Sequence, residues 1–327
     1  DRSSASLRIA QARADARGLS NIAWEQRSIL DLPNSGLGPF DYVDCCGVLH
    51  HMPDPAAGLR ALASVLAPGG GIGLMVYAPH GRTGVYMLQD ALRLLAPPGE
   101  APADRLDAAR RTMKHLPQTA WLRHNTSLSD HLSGGDAGLY DLLLNPRDRA
   151  YSVPELHALA AGAGLEIACW VEPIRYDPMP LLPDPKLRAR AARLDPVGRA
   201  ALAEALAGNI ACHIAYCVRA GDAPARADPF APGAVPVCRE IPGDVMARGI
   251  GADGAMVMNL DGLRVPFAVP PLAGAILSAI DGVRSVADIG AALAARGITP
   301  DAFNRAWRQT FPALERTNRV LLAAPAG

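Results

Sequence analysis

Two strand signals separated by one helix-length segment constrain the fold of this chain most. Residues 40–55 read FDYVDCCGVLHHMPDP, a predicted strand that ends in a loop with two histidines and Asp-Pro. A helical segment follows over residues 56–66, then a Pro-Gly-Gly turn and an apolar strand over residues 72–78. This order predicts one right-handed β-α-β unit of a parallel sheet.

Side chains with useful chemistry stand at the carboxyl ends of both predicted strands. His50 and His51 follow the first strand, and Tyr77 comes at the end of the second. Ligands of parallel sheets bind beyond the carboxyl ends of the strands, so we expect these residues to lie at a site. Neighbouring histidines diverge and no third ligand stands at metal-binding spacing, so we predict no metal site there.

The VLHHMPDP loop, the helix, the APGGG turn and the strand after it resemble the second half of a class I S-adenosylmethionine-dependent methyltransferase domain. The resemblance is to the small-molecule type, covers residues 1–90 best and extends loosely to about residue 220. It implies a Rossmann-like α/β fold, S-adenosylmethionine as cofactor, and methyl transfer to a small-molecule or carrier-bound acceptor.

The resemblance also implies which residues bind the cofactor. Asp1 stands where the family has the carboxylate for the ribose, and Ser28 and Ile29 stand beside the expected adenine. Leu49 and His50 belong to the loop that follows the next strand. The glycine-rich loop that comes earlier in the family is not in this sequence, so we expect an amino-terminally incomplete domain that is catalytic in its complete form.

Three residues are candidates for the catalytic step. The resemblance places His51, His50 and Tyr77 near the transferred methyl group. Histidine titrates near neutral pH, so one of the two can remove a proton from an acceptor, and we prefer His51. The alternatives are a structural role of the histidines in the loop and a strand-capping role of Tyr77.

A segment that exceeds the minimal methyltransferase core is predicted over residues 97–150. It contains a predicted helix over residues 103–115, and we interpret the whole as a helical lid that shapes acceptor specificity. A structural helical cap with solvated charges is the alternative. The residues that we expect to face the substrate are Arg82, Tyr86, Tyr140, Arg147 and Tyr151.

The remaining elements of this domain follow from local patterns. The capping box of Ser152 and Glu155 predicts the start of a helix. Strands over residues 165–171 and 209–218 are expected to form an antiparallel edge of the sheet. Further predictions are helices over residues 4–17 and 186–207 and a short strand over residues 21–26.

A second, smaller domain is predicted after a linker. Residues 221–243 are rich in Pro, Ala, Asp and Gly and divide a methyltransferase domain, residues 1–220, from a module of residues 244–327. The module is predicted as a hairpin about Asp261-Gly262, helices over residues 270–280, 285–295 and 300–314, and a strand at residues 320–322. This order of a hairpin, three helices and a strand in a small α+β module resembles winged-helix modules of the peptide-binding PqqD-like type. The resemblance implies a protein or peptide partner.

Composition excludes several classes of function. The 327 residues include 32 Lys and Arg and 32 Asp and Glu, and this balance disfavours a basic face for nucleic acid. No apolar run reaches the ~18 residues of a membrane span. Six cysteines without a CxxC pair indicate free thiols and a cytoplasmic protein. We expect Cys45 and Cys46 to be buried in the first strand, where a thiol behaves as a small apolar group.

Two other functions remain open at this point. One is a methyltransferase-like protein without turnover that binds or regulates a partner through its carboxy-terminal module. The other is an oxidoreductase on a similar doubly wound fold. A glycine-rich loop of the GxGxG or the GxGxxG type would distinguish methyl transfer from dinucleotide binding.

Overall fold

A mixed four-stranded sheet forms the centre of the first 220 residues. The computed structural model describes residues 1–222 and 227–323. The strands are β1 (Phe40–Cys46), β2 (Leu66–Tyr77), β3 (Leu165–Trp170) and β4 (Cys212–Arg219), in the order β1-β2-β4-β3. β1 and β2 are parallel, whereas β4 is antiparallel to both of its neighbours. The predicted antiparallel edge is thus present.

The predicted β-α-β unit is also present. After α1 (Ser4–Asp15), α2 (Pro55–Ser64) connects β1 to β2. Asp54 caps α2 by accepting the amide hydrogen of Ala57 at 2.8 Å. β2 begins six residues earlier than the predicted strand, at Leu66, because the Pro-Gly-Gly segment is a bulge within the strand and not a separate turn. Gly69 adopts a φ of +72° there.

One apolar core lies between the sheet and two helices. α2 and a later helix, α8, contribute leucines and alanines that pack on inward-facing residues of all four strands. Before α8 (Val153–Ala161) come the remaining helices of this region. They are α3 (Val85–Leu95), α4 (Pro102–Lys114), α5 (Trp121–His124), α6 (Asp130–Ser133) and α7 (Gly135–Leu144). α3, α4 and α7 form a second core of their own.

Three local predictions are wrong. Residues 21–26 form no strand, because the segment lacks a ladder with any strand that the structure describes. The helix predicted over 186–207 is split into α9 (Pro185–Ala191) and α10 (Pro196–Ala207), since Asp195 caps a new helix with Pro196 in its first turn. Cys46, expected in a buried position, is exposed next to the carboxylate of Asp44.

The carboxy-terminal part contains the predicted hairpin and helices. Its strands are β5 (Pro236–Cys238), β6 (Ala255–Leu260), β7 (Leu263–Ala268) and β8 (Val320–Leu322). Its helices are α11 (Gly243–Arg248), α12 (Ala273–Leu277), α13 (Val286–Ala294) and α14 (Pro300–Glu315). β5 lies within the predicted linker but pairs with β8, so that stretch is part of the folded module. Residues 223–226 of the predicted linker lie outside the described residues.

A short turn after β3 contacts the carboxy-terminal hairpin. Ile174, which is 2 % exposed, packs on Leu260 and Val265 of the hairpin. Its amide hydrogen is donated to the carbonyl oxygen of Arg316 at 2.8 Å. The side chain of Arg175 donates to Asp261 at 2.8 Å. Apolar packing, a backbone hydrogen bond and an ion pair therefore join the two parts.

No helix in the described parts of the chain combines the length and apolar character needed to cross a bilayer.

Candidate active site

The carboxyl ends of β1 and β2 are covered by one extended segment. We call residues 145–152, between α7 and α8, the strap. The amide of Arg149 donates to the carbonyl oxygen of His50 at 3.2 Å, just beyond the end of β1. The amide of Tyr151 donates to the carbonyl oxygen of Tyr77, the last residue of β2, at 2.8 Å. The strap therefore closes over the two strand ends where the sequence predicts the site.

His50 is a buried and neutral ring. It is 1 % exposed, and its centroid lies 4.2 Å from that of His51 and 3.9 Å from that of Tyr77. Neither ring nitrogen has a hydrogen-bond partner among the described residues. Burial, followed by the nearby charges of His51 and Arg82, lowers the pKa of His50 to about 3. A buried polar ring without partners is energetically costly in a folded protein.

His51 is held in the tautomer that a general base requires. Its Nδ1 lies 2.7 Å from the carbonyl oxygen of Arg147. A carbonyl oxygen only accepts, whereas the side-chain nitrogen of Asn145, 3.2 Å from the same Nδ1, only donates. The contact with the carbonyl is the shorter one, which favours the hydrogen on Nδ1 and the lone pair on Nε2. Nε2 makes no hydrogen bond to any residue that the structure describes. The nearby Asn145 amide fixes the same loop, since its oxygen accepts from the Arg147 amide at 3.1 Å.

The two tyrosines of the site remain protonated. The Tyr77 hydroxyl donates to Asp141 at 3.2 Å, and burial together with this carboxylate raises the Tyr77 pKa above its usual value. Burial and the Asp148 carboxylate raise the pKa of Tyr86 to about 12, although Arg82 opposes the shift. At neutral pH both are hydrogen-bond donors and not bases, so His51 is the candidate proton acceptor.

A buried ion pair lies beside the two histidines. The guanidinium of Arg82 donates to Asp148 at 2.7 Å, and the two side chains are 1 % and 0 % exposed. Arg82 also lies 3.7 Å from the centroid of the Tyr77 ring. Burial alone lowers the pKa of Arg82, but Asp148 and the tyrosines more than offset it and the pKa is raised. Gln89 completes the cluster by donating to Asp148 at 2.8 Å.

The predicted substrate residues are not all brought together. Arg82 and Tyr86 lie in the ion-pair cluster, whereas Tyr140 accepts from Arg105 at 3.3 Å on the helical core side of α7. The exposed Arg147 reaches His51 only through its backbone. Tyr151 is buried in the main core, with a hydroxyl that lacks a partner in the described structure.

The expected cofactor residues divide between the amino-terminal segment and the loop after β1. The carbonyl oxygen of Asp1 accepts the Arg27 amide at 3.0 Å, which places Asp1 beside the loop of Ser28 and Ile29. Its exposed carboxylate accepts from the Ser3 amide. Ile29 and the fully buried Leu49 contribute to one core. The exposed carboxylate of Asp1 and the half-buried Ile29 have the chemistry expected beside ribose and adenine, whereas Leu49 and His50 are 0 % and 1 % exposed.

Sequence reasoning missed four polar residues of the site. They are Gln89, Asp141, Asn145 and Asp148. Helical spacing gives a signal for Gln89, because residues 82, 86 and 89 are three or four positions apart at the start of α3 and face the same side. The three others lie in or next to the strap, whose path over the strand ends has no local sequence signature.

The His50 pKa gives a testable pH dependence of stability. The folded protein takes up a proton on His50 only near pH 3, whereas the unfolded chain does so near 6.5. This stabilisation is therefore complete above pH 6.5 and is lost as the pH falls toward 3. Relative to His50→Leu, we expect the wild type to lose on the order of 3 kcal/mol between pH 7 and 4 in urea unfolding. Equal losses in both proteins would contradict a neutral, buried His50.

Comparisons with known proteins show which proteins the first part of the chain is similar to. Residues 1–72 match the family model described as "Methyltransferase domain". The uncharacterised protein syc1184_c of Synechococcus sp. is 34 % identical over 183 residues, which span 54 % of this chain and 43 % of that protein. A ubiquinone biosynthesis O-methyltransferase of Albidiferax ferrireducens is 39 % identical over 70 residues, or 21 % of this chain and 28 % of that enzyme. The chain spans less than half the length of either relative.

A solved structure extends the similarity of fold to nearly the whole chain. PKMT2 from Rickettsia typhi, in complex with AdoHcy, superposes with a TM-score of 0.67 at 15 % identity. The superposition covers 99 % of this chain and 66 % of that one. The mixed sheet, the helices around it and the additional small sheets thus have a counterpart in a known structure. Residues 1–72 are thus similar in sequence to a methyltransferase domain, and the chain as a whole is similar in fold to PKMT2.

Proposed function

We propose that this protein transfers the methyl group of S-adenosylmethionine to an oxygen acceptor, with His51 as the general base. The observation that carries the proposal is the 2.7 Å contact between Nδ1 of His51 and the carbonyl oxygen of Arg147. It leaves the Nε2 lone pair available at the carboxyl ends of β1 and β2, where ligands of such sheets bind. The other titratable rings there, those of His50, Tyr77 and Tyr86, are poor proton acceptors at neutral pH.

The residues of the chain would divide the work between binding and proton removal. The residues that would hold the cofactor are Asp1, Ser28, Ile29, Leu49 and His50. When bound, the cofactor supplies an electrophilic methyl group on a sulfonium. Nε2 of His51 takes the proton from the hydroxyl of the acceptor as that oxygen becomes nucleophilic. The Arg147 carbonyl keeps its hydrogen bond to Nδ1 and stabilises the resulting imidazolium.

The acceptor class rests on two supports. Proton removal by a histidine suits an acidic hydroxyl, whose oxygen needs to lose its proton before or during transfer. The matched relatives of known activity are named ubiquinone biosynthesis O-methyltransferases, which methylate oxygen. We therefore propose a hydroxyl-bearing small molecule, free or bound to a carrier, and not a nucleic acid.

The experiment combines binding and turnover. Calorimetry with S-adenosylmethionine and S-adenosylhomocysteine tests the cofactor, and methyl-labelled cofactor with phenols and hydroxy acids tests the transfer. We expect saturable binding of both, weakened because these 327 residues lack the glycine-rich loop of the family, and label in a methyl ether product. A protein with His115→Ala, a change of an exposed histidine outside the site, should behave as the wild type. Absence of cofactor binding would contradict the proposal, and binding without any transfer would favour the non-catalytic alternative.

A further inference from the structure

A buried carboxylate holds the carboxy-terminal end of the strap. Glu204 of α10 is 1 % exposed, and its Oε2 accepts the amide hydrogen of Val153 at 2.9 Å. Val153 is the residue directly after the strap and the first of α8. A hydrogen bond to an ionised acceptor is about twice as strong as a neutral one. The end of the strap is therefore tied to α10, which packs against α8.

This tie is not needed to begin α8. Ser152 and Glu155 already form a capping box, with the Ser152 amide donating to Glu155 at 2.8 Å. Local capping thus accounts for the start of the helix without Glu204. The additional buried carboxylate fixes where the helix start, and the strap before it, lie relative to the sheet.

Glu204 is itself oriented by a second buried pair. Its Oε1 lies 3.3 Å from Nε2 of His213, an ion-pair distance whose angle falls outside hydrogen-bond geometry. The Tyr176 hydroxyl lies 2.9 Å from Nδ1 of His213. Burial, followed by the Glu204 carboxylate, raises the Tyr176 pKa, so its hydroxyl stays protonated. The carboxylate beside Nε2 only accepts, which favours the His213 hydrogen on Nε2 and Tyr176 as the donor to Nδ1. Trp170 stacks on Tyr176 with centroids 4.1 Å apart.

We propose that Glu204 is a positioning residue for the reaction. Next to His213, it anchors the strap so that the Arg147 carbonyl meets His51 and Asp148 meets Arg82. It touches neither histidine of the site and acts only through the strap. The inference rests on the proposed function for its effect on turnover, whereas the anchoring is measurable without any substrate.

The test is Glu204→Gln, which keeps the shape and removes the charge. Hydrogen–deuterium exchange should become about five- to tenfold faster at the amides of Tyr151 and Val153. With the methyl acceptor saturating, kcat should fall by a similar factor while the affinity for S-adenosylmethionine changes less than about twofold, because the strap contacts the expected cofactor residues only through the backbone carbonyl of His50.

Two control variants separate positioning from general destabilisation. Glu166→Gln removes an exposed carboxylate from β3, and Ile289→Val removes a buried methylene group from the distant carboxy-terminal core. Neither should change exchange in the strap or kcat. Unchanged exchange in Glu204→Gln would overturn the anchoring, and faster exchange with unchanged kcat would overturn the positioning role. If the wild type transfers no methyl group, the proposed function fails, and the exchange data alone decide the anchoring.

Discussion

Replacing Asp148 with alanine is expected to lower the free energy of unfolding by about 3–5 kcal/mol. The Arg82 guanidinium would then stay buried without a counter-ion, since it is 1 % exposed and Asp148 is its only carboxylate partner among the described residues. Gln89 and Tyr86 would also lose an acceptor. Urea unfolding followed by far-UV circular dichroism measures the change, with the slope of the transition as a check on two-state behaviour.

The matched control is an exposed ion pair on α3, the helix that carries Gln89. Asp90 contacts Arg93 with side chains 74 % and 44 % exposed, so Asp90→Ala should cost no more than about 1 kcal/mol. The double change Arg82→Met with Asp148→Ala should recover part of the loss, because it removes the uncompensated charge. A loss below about 1 kcal/mol for Asp148→Ala would show that Arg82 escapes to solvent, and that the buried pair does not fix the strap.

Replacing His51 with alanine is expected to lower kcat by about a hundredfold or more. His51 would remove the proton of the acceptor, and the neighbouring His50 cannot replace it because its pKa is about 3 and its ring is buried. The affinity for S-adenosylmethionine should change little, since the residues expected to hold the cofactor are Asp1, Ser28, Ile29, Leu49 and His50. Initial rates and calorimetry on the same preparation measure both quantities.

Added imidazole distinguishes a base from a structural residue. If His51 removes a proton, imidazole should restore part of the activity of His51→Ala in a manner that depends on imidazole concentration and pH. It should not change the activity of the wild type or of His115→Ala. Wild-type turnover in His51→Ala would assign His51 to the structure of the loop alone.

The sequence predicts those parts of the fold that local patterns determine. The β-α-β unit follows from periodicity and length, the hairpin at Asp261-Gly262 from turn chemistry, and the start of α8 from its capping box. Residues 21–26 show the limit, because a strand also needs a partner strand, and β-propensity carries no information about that partner. The division into domains and the amino-terminally incomplete methyltransferase domain stay predictions.

The sequence predicts which residues of the candidate site stand at the strand ends. It does not predict which residues of distant segments contact them. His50, His51 and Tyr77 meet because parallel strands end at one edge of a sheet. The contact of Arg82 with Asp148 joins positions 66 residues apart, and no local pattern specifies it. The side chains of Tyr140 and Asp141 are neighbours in sequence, yet they point to different sides of α7, and only Asp141 reaches Tyr77.

The central claim is that S-adenosylmethionine binds at the carboxyl edge of the sheet, next to His50 and His51. Hydrogen–deuterium exchange with and without S-adenosylhomocysteine tests it most directly, because the measurement locates the bound cofactor without the need for a methyl acceptor. We predict slower exchange confined to residues 28–31 and 47–51, and unchanged exchange in the hairpin of β6 and β7. Protection that is absent from these two segments, or found only in the carboxy-terminal part, would contradict the claim.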